Sequence, residues 1–423
     1  MHTRLHIRLP LRRLQAGLSM VELMVAMVIA LVGTIIMFQV FEVSEGIKRS
    51  TTAGGDSQQN GVIGLYVIEN DVRNAGAGFS ETSLAGCTIN AFDQPPSGSA
   101  RNFTMTLVPI SITAGANNRT PDSLTVFYGS QAMVNSATTI TSNMPVLPGG
   151  ATAPIRVMNR YGYRVGDLIV LLEPGSGKNC TMLEVTGLPS SPSDQIDHAS
   201  YGAAYNLSWA PGNPSKQVRA NPPTGLAVQY TGANTANATR VFNLGNLYDN
   251  AGVYSYNHAA MPVYNTYAVS ITTLTVNSAF RTTGAVAVAD NIVHLRALYG
   301  LDDGGAANGT LTQVGTPAAG DGKIDRWVDA TTFVAAGSPW QRIIAVRVVI
   351  VARSALPERG SGGPGSACDT TTVEPTWSGS AWSTSPQNYR TSLDLTADAD
   401  WQCYRYKTFE TTIPLRNWIW KSS

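Results

Sequence analysis

Ala16-Gly17-Leu18-Ser19-Met20-Val21-Glu22-Leu23-Met24-Val25-Ala26-Met27 opens an apolar run that continues to Phe41. Arg4, Arg8, Arg12 and Arg13 precede the run, and Glu22 is the only charged residue inside it. A helix crosses a bilayer with about 20 apolar residues, so this run is long enough to span one. A carboxylate within such a span costs roughly 2.5–3.5 kcal/mol on insertion scales, which makes Glu22 a functional residue by default. Two plainer readings fit less well. A secretory signal peptide has an apolar core of about 7–15 residues and a small-x-small cleavage site after it. This core is longer, and Glu42-Val43-Ser44-Glu45-Gly46 offers no such site. An ordinary membrane anchor would carry no ionisable group at Glu22 and would not need Gly17. The arginines hold the leader in the cytoplasm by the positive-inside rule, so the chain beyond Lys48 and Arg49 faces the other side.

That placement bears on the cysteines. Cys87, Cys180, Cys368 and Cys403 all lie beyond the span, in an oxidising compartment. Four cysteines allow three pairings. The pairs nearest in sequence, Cys87 with Cys180 and Cys368 with Cys403, are the favoured ones. A metal site would want Cys-x-x-Cys spacing or nearby histidines, and the chain has neither. A net charge of +1 over 423 residues gives no basic excess, so no direct nucleic-acid binding is indicated. Only 13% of residues are charged, about half the usual share, and Gly 40 and Pro 23 point to short strands joined by long loops.

One long helix is expected over residues 18–75. No proline interrupts it, and Gly76-Ala77-Gly78 ends it. Val62, Leu65, Ile68 and Val72 recur at helical spacing as a stripe facing a packed domain. Gly46, Gly54, Gly55, Gly61 and Gly64 weaken the helix by up to about 1 kcal/mol each, and local unwinding is expected at Gly54-Gly55. Beyond it the pattern is β, with strands predicted over 104–110, 124–128, 167–172, 182–185, 267–276, 292–299, 343–351 and 404–412. In 343–351, Ile344, Val346, Val348 and Ile350 form one face and Arg347 lies on the other. The fold class is therefore α+β, a long N-terminal helix on a large, loop-rich antiparallel β head.

The arginine leader, Gly17, Glu22 and the unbroken apolar run resemble the prepilin signal of type IV pilins. Further segments are similar to the PilW family of minor pilins: Asn70-Asp71-Val72-Arg73-Asn74-Ala75-Gly76, Leu298-Tyr299-Gly300-Leu301-Asp302, Gly320-Asp321-Gly322-Lys323-Ile324-Asp325-Arg326-Trp327 and Phe409-Glu410-Thr411-Thr412-Ile413-Pro414-Leu415-Arg416-Asn417. The resemblance implies cleavage between Gly17 and Leu18 by a prepilin peptidase, with methylation of the new amino group. Leu18 stands where the family usually has Phe. It implies a cytoplasmic leader over 1–17, a helix over 18–75 with its span at 18–41, and a periplasmic head over 76–423. It gives Glu22 a role in subunit assembly, paired with a neighbour's N-terminal ammonium. The implied function is that of a minor pilin that primes or caps a type IV pilus, with no chemical step of its own. The implied location is the inner membrane, then the pilus tip. Implied partners are other minor pilins, the major pilin, the peptidase and the inner-membrane assembly platform. A J-type minor pseudopilin of type II secretion shares the helix and signal, and a pilus-tip adhesin is a further alternative.

Candidate chemistry is sparse. Gly175-Ser176-Gly177-Lys178 has the end of a phosphate loop, but Leu172 and Asn179 stand where the motif wants Gly and Ser or Thr. His198, His258 and His294 lack ligand spacing. Asp302, Asp303, Asp321 and Asp325 flank a Gly in a pattern that resembles part of a calcium loop. Calcium binding is one reading; a hairpin turn with Asp caps is the other, and no other cofactor is suggested. Trp418-Ile419-Trp420-Lys421 reads as part core, part exposed surface.

Overall fold

The computed structural model describes residues 19–79, 85–95, 99–130, 137–144, 153–223, 230–232, 238–254, 260–280, 284–302, 322–335, 337–358, 360, 365–379 and 392–419. Gly17, Leu18, Asp303, Asp321, His258 and Trp420 lie outside them. The chain forms two compact units, Met1–Gly55 and Asp56–Ser423. A single helix, Met20–Asn74, runs from the first into the second. The expected unwinding at Gly54-Gly55 does not occur, because both residues keep helical geometry, although the division between the units falls beside them. The helix ends where Gly76 and Gly78 take φ values of +81° and +87°, a left-handed geometry that glycine adopts without a Cβ clash.

Within the second unit the helix beds on two antiparallel sheets. The four-stranded sheet orders Arg326–Val328, Ile292–Leu301, Ile343–Arg353 and Tyr406–Pro414. The five-stranded sheet orders Val286–Asp290, Thr273–Ser278, Val263–Ser270, Ser123–Tyr128 and Ile110–Thr113. Ile68 and Val72 are fully buried against them, but Val62 is 53% exposed and turns outward with Ile63 and Tyr66. The stripe that faces the sheets therefore runs through Ser57, Gly61, Gly64, Ile68 and Val72. Its glycines are there for closeness. A Cβ on Gly61 would stand 2.1 Å from a Phe409 ring carbon, and one on Gly64 would stand 3.1 Å from Ile350 and from Leu274. Gly61→Ala should gain about 1 kcal/mol of helix propensity, yet lose about 1–3 kcal/mol to overpacking. Urea denaturation should show a net loss that Gly61→Ala/Phe409→Leu reverses.

A six-stranded sheet makes a further layer, in the order Arg101–Thr106, Thr88–Asp93, Cys180–Glu184, Asp167–Leu172, Arg240–Asn246 and Thr138–Thr139. One pairing in it is parallel, with Ile89 opposite Cys180. Among the described residues this is the one exception to antiparallel pairing, and it sits beside the Cys87–Cys180 bridge. A second bridge joins Cys368 to Cys403. The bridges close loops with sequence separations of 93 and 35 residues, for which chain entropy alone gives stabilisation of about 4–5 and about 4 kcal/mol.

Several strand boundaries depart from the sequence pattern for identifiable reasons. The stretch 104–110 is two strands, since Pro109 has no N–H to continue a ladder. The stretch 267–276 is a hairpin that turns at Ile271-Thr272. Ile343–Arg353 is buried on both faces. Val346, Val348 and Ile350 join the main core under the helix, while Val349 and Val351 join a separate cluster with Trp377, Leu393 and Leu395.

Candidate functional site

The first unit offers one chemical peculiarity. Every large apolar side chain from Met20 to Ile47 is exposed. This part of the helix is long and apolar enough to cross a membrane, and none of it is buried. So long an apolar surface requires lipid or protein cover. Glu22 is exposed in the first turn, where the N-terminal helix dipole favours an anion. Gly17 and Leu18 lie outside the described residues.

In the second unit, two of the segments singled out in the sequence, 70–76 and 409–417, meet at the end of the helix. Asp71 is buried, and its carboxylate accepts hydrogen bonds from Tyr128 OH (3.0 Å), Asn265 Nδ2 (2.8 Å) and Tyr267 OH (2.6 Å). Burial and the Asp71 charge both raise the pKa of Tyr267, so its proton stays in place. Asn417 Nδ2 donates to the carbonyls of Arg73, Asn74 and Ala75 at 3.2–3.5 Å. These are among the acceptors that a helix C-terminus leaves without an intrahelical partner. Trp418 is buried, its Nε1 donating to Trp340 O at 3.1 Å and its ring edge-on to Phe79 at 6.1 Å. The mixed reading of the closing aromatics thus resolves to core at Trp418. Tyr299 OH accepts from Ile112 N at 2.5 Å, and its ring lies 4.3 Å from Phe333. A Cβ on Gly300 would press on the Trp327 ring at 2.9 Å. Asp71 and Asn417 thus tie the helix to the residues below it, while Tyr299 and Gly300 pack within those sheets.

Of the four acidic residues, Asp302 and Asp325 are described. Asp302 is buried, and its Oδ2 accepts from Gly322 N at 2.9 Å. The main chain of Asp325 bonds to Leu301 O at 2.9 Å. Asp303 and Asp321 lie outside the described residues. Among the described residues no three His, Cys, Asp or Glu side chains group to hold a metal.

Burial raises the pKa of several carboxylates; two of them, Asp167 and Glu184, lie on neighbouring strands of the six-stranded sheet, and each is occupied by structure. Burial pushes Asp167 up to about 6. Its oxygens accept from Asn243 Nδ2 (2.6 Å), Asn246 Nδ2 (2.7 Å) and Arg164 N (2.7 Å) at a bulge in the six-stranded sheet. Glu184 is likewise raised by burial and accepts from Tyr205 OH and from the main-chain N–H groups of Arg219 and Ala220. Each oxygen of the two carboxylates accepts at least one hydrogen bond from the fold, although Asp167 also borders a small pocket with Trp209 and Tyr248.

Sequence reasoning passed over two features on the far side of the four-stranded sheet. Arg296 is fully buried, and all five of its N–H groups are used. It bonds Asp122 Oδ1 (2.6 Å) and the carbonyls of Asn117, Asn118, Thr120 and Ser392. The signal was His294 and Arg296 at period-2 spacing inside an otherwise apolar strand. Near this clamp lies a cavity of about 280 Å³. It is formed by the turn of the 263–278 hairpin, the start of Ile292–Leu301, the end of Ile343–Arg353, the start of Tyr406–Pro414, the 119–121 loop and the 394–398 segment. Ile271 stands on its rim at φ +57° and 94% exposure. A β-branched residue in the left-handed region is an outlier that stores about 1–3 kcal/mol of strain.

Residues 264–417 match the family model described as Type IV Pilus-assembly protein W, and residues 12–38 match the Prokaryotic N-terminal methylation motif. No curated protein and no solved structure matches the chain. The longer match takes in Asn265, Tyr267, Phe409 and Asn417, which contact the helix, and Tyr299 and Gly300 in the sheet below it. The six-stranded sheet, between Thr88 and Asn246, lies wholly outside it.

Proposed function

We propose that this PilW-like pilin, with its prepilin signal, is a minor pilin that joins other minor pilins to prime or cap a type IV pilus. In this reading the prepilin peptidase cuts between Gly17 and Leu18 and the Leu18 amino group is methylated. The apolar helix holds the subunit in the inner membrane with its head in the periplasm, until the assembly platform feeds it into a filament with the major pilin. The observation that carries the reading is the exposed apolar stretch from Met20 to Phe41, whose one charge, Glu22, lies in the first turn of the helix. Bundled helices would bury that carboxylate among apolar side chains. Unpaired, it would cost several kcal/mol; beside a neighbour's N-terminal ammonium it is compensated. The pairing fixes the axial register at which a subunit enters, as a buried polar residue fixes register in a coiled coil.

Glu22→Ala should leave the protein in the inner membrane at wild-type abundance and remove at least nine-tenths of it from sheared filaments, read by immunoblot. Equal incorporation of the variant would defeat the assembly role. Mass spectrometry of the membrane form should find an N-terminus at methylated Leu18; an intact leader in the filament fraction would defeat the processing step.

A further inference from the structure

We propose that Asp302 and Asp325, with the turn at Gly322 before Asp325, form a calcium site where the strands Ile292–Leu301 and Arg326–Val328 part, a function separate from the assembly role. Asp302 is only 6% exposed. Its Oδ2 accepts from Gly322 N at 2.9 Å, while its Oδ1 is shut off from water and meets no hydrogen-bond donor, neutral or cationic. A carboxylate oxygen can only accept, and a buried anion left without compensation is costly. An oxygen enclosed in this way has no use for a ligand that drifts into a pocket. It suits an ion that the chain closes around, because a bound calcium is itself enclosed by its oxygen ligands.

The turn has the residue order that calcium loops use. In the twelve-residue calcium loop, Gly at the sixth position makes the sharp turn, and the odd positions from the first to the ninth supply oxygens. Gly322 makes such a turn, with φ at +79°. Counted from it, Asp321, which lies outside the described residues, falls at the fifth position. Lys323 falls at the seventh, where the main-chain carbonyl is the ligand, and Asp325 at the ninth. The first and third positions fall on Pro317 and Ala319, which offer no carboxylate. The fold makes good that lack from the facing strand, because it is Asp302 whose carboxylate meets the Gly322 amide.

Main-chain bonds hold the two acids in place. Asp302 N donates to Arg342 O and Asp325 N donates to Leu301 O, each at 2.9 Å. Leu301 and Arg326 are the last residues in register, so the acids follow where the strands separate. Like charges on adjoining strands repel, and a divalent cation between them turns that repulsion into attraction. The ligands on offer are hard oxygens, and all four cysteines are bridged. Zinc favours nitrogen and sulfur. Magnesium demands near-ideal octahedral geometry and keeps its waters, whereas calcium accepts irregular oxygen sets from flexible loops. Calcium here would tie together the two ends of the segment 303–321.

The test uses full-length protein in lipid nanodiscs, stripped of metal with EGTA and titrated by calorimetry with calcium and, separately, with magnesium. Calcium should bind with a Kd at or below about 1 mM, the range of extracellular calcium modules, and at least tenfold tighter than magnesium. Terbium should luminesce on excitation of Trp327, two residues after Asp325, and calcium should displace it. Asp302→Asn and Asp325→Asn should each weaken calcium binding at least tenfold. Asparagine at 302 keeps an acceptor for the Gly322 amide and removes the buried charge. In EGTA, Asp302→Asn should therefore melt no lower than wild type, and calcium should raise the Tm of wild type alone. The proposal fails if no calcium binds at millimolar concentration, if magnesium binds as tightly, or if both variants bind calcium like wild type. It also fails if Asp302→Asn lowers the Tm equally with and without calcium, which would make the carboxylate a cap for the hairpin turn.

Discussion

Arg296→Met is expected to destabilise the head by about 3–5 kcal/mol, the range found when one member of a buried ion pair is removed. Against a total stability of about 5–15 kcal/mol, that loss brings the head close to unfolding. Methionine fills similar volume but leaves Asp122 charged and unpaired, along with four carbonyls that had donors. Burial already raises the Asp122 pKa despite the attraction of Arg296, and losing Arg296 raises it further. A carboxylate with a raised folded pKa loses stability as pH climbs through that value and regains it on acidification. The deficit of Arg296→Met should therefore be larger at pH 7 than at pH 5. Denaturant titrations at the two pH values measure this directly. Arg296→Met/Asp122→Leu should recover much of the loss, since an apolar pair leaves no uncompensated charge. A single-variant loss under 1 kcal/mol, or a deficit that grows in acid, would show that the clamp is not what holds the 117–122 loop.

Asp71→Ala comes second, at about 2–5 kcal/mol. Truncation strands the hydroxyls of Tyr128 and Tyr267 and the amide of Asn265 in a buried site, at about 1–3 kcal/mol for each orphaned group, tempered by relaxation. The damage should be local first. Hydrogen exchange should quicken over helix residues 64–74 and the strands Ser123–Tyr128 and Val263–Ser270, with the six-stranded sheet keeping its protection. Uniform loss of protection across all three sheets would mean that the junction is not a separable unit. Asp71→Asn offers an internal control. It retains one acceptor oxygen and should fall between wild type and alanine.

The sequence was most legible where one physical demand acts alone. From Met20 to Phe41 the single demand is cover for an apolar surface, and apolar composition with one acid states that plainly. The α+β class also followed, because helical period gives way to strand alternation past Gly78. Legibility failed where two chains of residues far apart must agree. Gly61 and Gly64 look like defects in a helix until Phe409, Ile350 and Leu274 are placed against them. Val62 looked like core because its spacing matched Leu65 and Ile68, yet the glycines draw the contact line to one side of it. The turn at Ile271 has no Gly, Asn or Pro to announce it, so two strands read as one. Arg296 could be seen as a charge within a strand, but its five acceptors come from loops with no motif.

Asn417 touches main-chain atoms made 344 residues before it. During synthesis on the ribosome, the helix terminus therefore waits for 344 further residues before the Arg73 carbonyl gains this donor. A chain broken off upstream of that point would leave the helix end without the amide that reaches three of its carbonyls at once.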